Sequence, residues 1–82
     1  RGAVFARLSV ETFRDENGFG LRVATDRIAQ SVKIEDERLT PLDNWLHLAP
    51  GAPKIVRFLE QDIAPRGMVA ALGSPALFYG AD

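Results

Sequence analysis

His47, eleven carboxylates and no cysteine are the groups with which this chain could do chemistry. Acid–base hydrolysis of a glycoside needs two carboxylates flanking one bond, about 5–9 Å apart. The acids fall mostly in polar stretches, at Asp15, Glu16, Glu35, Asp36, Glu37, Asp62 and Asp82, and read as solvated turn residues. A zinc site would have to be built from His47 and carboxylates alone, without thiolates, which is a weak donor set. Ser9, Ser31 and Ser74 lack the Gly-x-Ser-x-Gly context of a nucleophile elbow. Gly18-Phe19-Gly20 is not followed by a helix start or by Gly-Lys-Ser/Thr, so it is no phosphate loop. The expectation is a domain without catalytic residues, cofactor or metal. The aromatic residues remain as candidates. A core position is the first reading for Trp45, because a buried tryptophan covers about 200 Å² and can anchor a small core. The alternatives are a contact with a neighbouring domain, or a sugar-stacking platform of Trp45 with Tyr79 or Phe78, with His47 nearby.

These residues must be positioned by a small fold. The chain has 82 residues, enough for one domain that buries roughly 60–65% of its unfolded surface. It is 46% hydrophobic and 26% charged, the composition of an ordinary globular domain. Ten basic and eleven acidic residues nearly cancel, which gives no electrostatic footprint for nucleic acid or an anionic membrane. No apolar run approaches the roughly 20 residues of a membrane span. A soluble protein is expected, with the cytoplasm favoured by the lack of cysteine. The sequence begins with Arg1 rather than Met and is read as a fragment of something longer.

Period-two alternation dominates. Val4, Ala6, Leu8 and Val10 share one face of a first strand, with Arg7, Ser9 and Glu11 on the other. Arg14 to Gly18 is a polar turn. Phe19, Leu21, Val23 and Thr25 share a face of the next strand, and Ile28, Gln30, Val32 and Ile34 of a third. A helix over Asp26–Leu39 can be drawn, but β-branched Val32 and Ile34 and the flanking turns favour a strand. Leu46 and Leu48 alternate with Trp45 and His47. Either the leucines face the core and Trp45 and His47 point outward together, or Trp45 enters the core and the chain is irregular there. Val56 and Phe58 alternate with Arg57, and Met68–Gly73 and Ala76–Gly80 are two last short strands. Six or seven short antiparallel strands in two sheets predict an all-β, immunoglobulin-like β-sandwich.

The run Asp43-Asn44-Trp45-Leu46-His47-Leu48-Ala49-Pro50-Gly51 resembles the C-terminal immunoglobulin-like domain of β-mannosidases of glycoside hydrolase family two. Asp43, Asn44, Trp45, Leu48, Pro50 and Gly51 match the family motif in order and spacing. Leu21, Val23, Ala29 and Val32 match its upstream strands, and Val69 and Leu72 suit its last ones. The resemblance spans roughly residues 8–73. Leu42 stands where the family has Ser, His47 where it has Asp, and Ala52 where it has Glu.

Physically, Asp43 and Asn44 can close a tight turn by bonding nearby backbone. Pro50-Gly51 suits a type II turn, so the motif reads as a corner and a hairpin into Lys54–Phe58. The resemblance implies that residues 1–82 form one immunoglobulin-like domain, a C-terminal fragment of a multidomain glycoside hydrolase. It implies a non-catalytic accessory role, packing on and supporting a catalytic barrel that cleaves terminal β-mannosides with retention and carries both catalytic glutamates. The partners would be that barrel and the other domains of the same chain. Trp45, His47 and Tyr79 are the candidate sugar or interdomain contacts. Two other readings stand beside this one: a carbohydrate-binding module that contacts β-mannosides through its aromatics, and a generic immunoglobulin-like interaction domain.

Overall fold

The computed structural model describes residues 6–80; Val4 of the expected first strand lies outside them. Within this span the chain makes seven strands: β1 Leu8–Asp15, β2 Gly18–Thr25, β3 Ala29–Asp36, β4 Leu46–Leu48, β5 Lys54–Arg57, β6 Gly67–Ala70 and β7 Leu77–Tyr79. A three-stranded sheet has the order β1-β2-β5 and a four-stranded sheet the order β4-β3-β6-β7. All pairings are antiparallel. The result is the expected immunoglobulin-like sandwich. No helix among the described residues is long and apolar enough to cross a membrane.

Alternation explains the core. Leu21 and Val23 of β2, Val56 of β5, Val32 and Ile34 of β3, Leu46 and Leu48 of β4, Val69 of β6 and Tyr79 of β7 are all buried. They form one cluster around Phe58, the largest fully buried side chain. Phe58 follows β5 and bridges back to Pro41. Burial of a Leu, Val or Phe side chain contributes about 1.5–3 kcal/mol, so this cluster is the main source of stability.

The expected frame fails at the start of β3. Ile28 and Gln30 were to share the face of Val32 and Ile34; both are exposed, and Ala29 is buried instead. The reason is a β-bulge. Ala29 pairs with Leu48 and Val32 with Leu46, so β3 advances three residues while β4 advances two. Ser31 absorbs the extra residue at φ +56°. A bulge inserts one residue and resets the side-chain frame, which turns Ala29 inward.

The expected turn at Pro50-Gly51 forms. The Ala52 amide donates to the Ala49 carbonyl at 3.1 Å, and Gly51 takes φ +76°, as a type II turn requires. It does not close a hairpin. β4 pairs with β3 while β5 pairs with β2, so this corner carries the chain from one sheet to the other. Leu72, matched to a last strand, lies in the turn after β6 and is 91% exposed.

The β3–β6 pairing is closely fitted at its end. Gly67 lies opposite Asp36, and a Cβ there would run into the Glu35 carbonyl oxygen and stand 2.7 Å from the Asp36 Cα. Gly67→Ala is expected to cost about 1–3 kcal/mol through forced separation of β3 and β6. Urea denaturation checks it: the midpoint should fall with the slope unchanged.

Candidate functional site

The Asp-Asn-Trp motif acts through Asn44. The Ile34 amide donates to Asn44 Oδ1 at 2.7 Å, and Asn44 Nδ2 donates to the Ile34 carbonyl at 3.0 Å. In an antiparallel strand both backbone groups of a residue point to the same neighbour. Asn44 therefore replaces the residue of β4 that would pair with Ile34. Its Oδ1 also accepts from the Trp45 amide at 3.0 Å.

This bond geometry decides the place of Trp45. The residue sits between the Asn44 clamp and the first residue of β4, with φ +55°. A bulky residue in the left-handed region is unusual and costs of order 1–3 kcal/mol. Strand alternation begins only after it, so Leu46 and Leu48 enter the core and Trp45 does not: it is 61% exposed. The core reading of Trp45 is corrected by this turn. Its ring instead carries the Lys33 ammonium, 5.4 Å from the centroid, and Lys33 is paired to Glu35 at 2.8 Å. His47 is also exposed, on the outward side of β4. Among the described residues no group of His, Asp and Glu is arranged to hold a metal ion.

Tyr79 is the opposite case. Offered as a surface contact, it is only 5% exposed. It is buried because it follows Phe78 on a strand whose alternate residues face the core; Phe78 takes the outward position and is 71% exposed. The Tyr79 hydroxyl donates to Asp36 Oδ2 at 3.1 Å.

Asp36 is no solvated turn residue. Its Oδ1 accepts from the amides of Arg38 and Leu39 at 3.0 and 2.9 Å. Its Oδ2 accepts from the Arg66 amide at 2.9 Å and from Tyr79. One carboxylate thus joins the end of β3, the loop after it, the entry to β6 and the middle of the core. The only sequence signal was an acid at a strand end followed by polar residues, which is common at ordinary turns.

The remaining polar work is on the three-stranded sheet. Arg57 donates to both oxygens of Asp15, at 3.0 and 2.6 Å, and its guanidinium lies 5.0 Å from the Phe13 ring centroid. The Phe13 ring in turn covers Gly20, its cross-strand partner. On the loop side, Glu60 accepts from the amide and hydroxyl of Thr40 at 2.7 and 3.2 Å.

Residues 4–72 match the model of the mannosidase immunoglobulin-fold domain family. The chain belongs to that family. No curated protein and no solved structure shows significant similarity to it. In this family member the motif's Asn44, Leu48, Pro50 and Gly51 are structural, while Trp45 is presented to solvent.

Two outcomes follow. The Tyr79 phenol is pushed above its ordinary range by burial, by the charge of Asp36 and by the bond to it. Unfolded tyrosine ionises near pH ~10, so this site's contribution is full below that pH and is lost as pH rises toward the higher folded value. Asp15 is held below its ordinary range chiefly by the Arg57 hydrogen bonds, so its contribution is present above about pH 4 and is lost as pH falls further. Stability measured by urea denaturation from pH 2 to 11 should decline at both ends. Tyr79→Phe should flatten the alkaline limb and Asp15→Asn the acid limb. Separately, Trp45→Gly should leave stability unchanged or raise it by up to about 1 kcal/mol, because glycine accepts the left-handed turn freely. A thermal melt of that variant checks it.

Proposed function

We propose that this chain is a non-catalytic accessory domain of a β-mannosidase-like glycoside hydrolase, which packs on and supports the catalytic barrel that cleaves terminal β-mannosides. Membership of the mannosidase immunoglobulin-fold family across residues 4–72 carries this reading. Two of the acids, Asp15 and Glu60, are in keeping with it. A glycosidase general acid needs a pKa raised by its surroundings. Asp15 and Glu60 are instead pushed down, by the donors Arg57 and Thr40 respectively. Asp15 is engaged with Arg57 of β5 and Glu60 with the loop residue Thr40.

The surface supports a packing role. Ile55 of β5 and, beyond it, Leu59 and Ile63 are large apolar side chains left exposed. Exposed apolar surface of this kind is what a neighbouring domain would cover. Ile55 lies in one cross-strand row with Arg22 and Glu11 on the outer face of the three-stranded sheet.

The test uses the product of the complete gene. Ile55→Asp with Leu59→Asp should lower the temperature of half-inactivation, followed by hydrolysis of p-nitrophenyl β-D-mannoside, while KM at 25 °C stays at the wild-type value. A gene without a barrel, or an enzyme whose thermal inactivation ignores these changes, would overturn the reading.

A further inference from the structure

The outer face of the four-stranded sheet ends in an exposed aromatic on each side. Val32 and Ile34 point into the core, so Lys33 and Glu35 lie on the opposite face of β3. The register extends that face across the sheet: Lys33 is opposite Ala70, Glu35 opposite Met68, and Met68 opposite Phe78. Trp45 joins it from the β4 side, its ring against Lys33. Phe78 closes it on the β7 side. At the Phe78 end, away from Trp45, Glu35, Asp36, Glu37, Gly67, Met68 and Phe78 line an open pocket of about 300 Å³.

From this arrangement we propose that the face binds a neutral linear oligosaccharide, with Phe78 and the side of the Trp45 ring not taken by Lys33 as stacking platforms and the Lys33–Glu35 pair hydrogen-bonding hydroxyls between them. The choice of a sugar rests on the accessory-domain reading above, and the geometry supplies the rest. Trp45 holds an uncommon backbone conformation without the return of burial, and such outliers concentrate at ligand clamps. The face joins apolar platforms to a few fixed polar groups, the usual make-up of a small-molecule site.

Charge narrows the ligand. Lys33 is paired with Glu35, and Glu37 with Arg66 at 3.4 Å. Asp36 is committed to its four donors. Among the described residues these pairings leave no surplus of cations there to attract an anion, while the donors of Lys33 and the acceptors of Glu35 suit hydroxyl groups. Size narrows it further. From β4 to β7 is three strand spacings, about 14 Å, which exceeds one pyranose ring and fits a short chain of them.

An NMR titration of the isotope-labelled chain with β-1,4-mannotetraose, and separately with mannose, tests this. Saturable shifts are expected at the Trp45 indole and at the amides of Lys33, Glu35, Met68 and Phe78, with mannose weaker by about ten-fold or more. Trp45→Gly, which removes the platform without straining the turn, should weaken tetraose binding by about ten-fold. Phe78→Ala should weaken tetraose and leave mannose unchanged. A folded spectrum that ignores millimolar tetraose overturns the proposal. So do shifts that map elsewhere, or a Trp45→Gly variant that binds normally. If the same signals respond to the catalytic barrel and not to sugar, the face is an interdomain contact and the proposal falls. The accessory role is read separately, from the thermal inactivation of the whole enzyme, so either idea can fail while the other stands.

Discussion

Asp36 has to be satisfied for the four-stranded sheet to close. It ends β3, and from there the chain leaves the sheet for a long loop before β4. The amides of Arg38, Leu39 and Arg66 and the hydroxyl of Tyr79 all converge on its two oxygens. Part-buried hydrogen bonds to a charged group, as from Leu39 and Tyr79, contribute about 1.5–3 kcal/mol each, while those from Arg38 and Arg66 lie at the surface and contribute less. The consequence is spatial as well as energetic. The carboxylate sets where Leu39 enters the core, where β6 begins, and how deep Tyr79 sits. Gly67 and Gly80 fit around the same junction because their missing Cβ atoms leave room for the Glu35 and Pro65 carbonyls respectively.

β3 is fixed at three points along its length. The bulge at Ser31 brings Ala29 and Val32 onto one face. Asn44 occupies the pairing position beside Ile34. Asp36 ties down the last residue. An antiparallel strand that slips by one residue turns its whole apolar set to solvent, and these devices oppose such a slip. β4 has only three residues, too few to hold register by backbone pairing alone, and the Asn44 side chain lengthens its ladder without lengthening the strand.

The aromatic residues of the two outer faces differ in kind, although the three-stranded face also leaves Ile55 exposed. On the three-stranded side, Arg57, Asp15 and Phe13 form a closed set in which each group has its partner. On the four-stranded side, Trp45 and Phe78 stand largely uncovered on either side of an ion pair. The first arrangement stabilises the sheet it lies on. The second brings little stability for the apolar area it exposes, and at Trp45 it carries backbone strain besides. Natural proteins retain such local costs chiefly where a surface is used.

The sandwich was legible in the sequence because alternation is a local property: Leu21 and Val23, Val32 and Ile34, Leu46 and Leu48, Val56 and Phe58 declare their face by spacing of two. The turn at Pro50-Gly51 was legible for the same reason, since both residues restrict or free their own φ. The bulge was not, because an inserted residue is defined against a partner strand, although the spacing of three between Ala29 and Val32 is its trace. The hairpin expected at that turn failed because β5 pairs with the remote β2 rather than with the adjoining β4, a choice that local residue types do not declare. Trp45 and Tyr79 exchanged their expected places for a similar reason. One is turned out by an asparagine bonded to a strand ten residues earlier; the other is turned in by the frame of β7, which is set by pairing with β6, and its hydroxyl finds a carboxylate forty-three residues away. Residue types and their spacing determined the elements and the family; only the tertiary structure decided which aromatic faces water, because that depends on hydrogen bonds between segments remote in the chain.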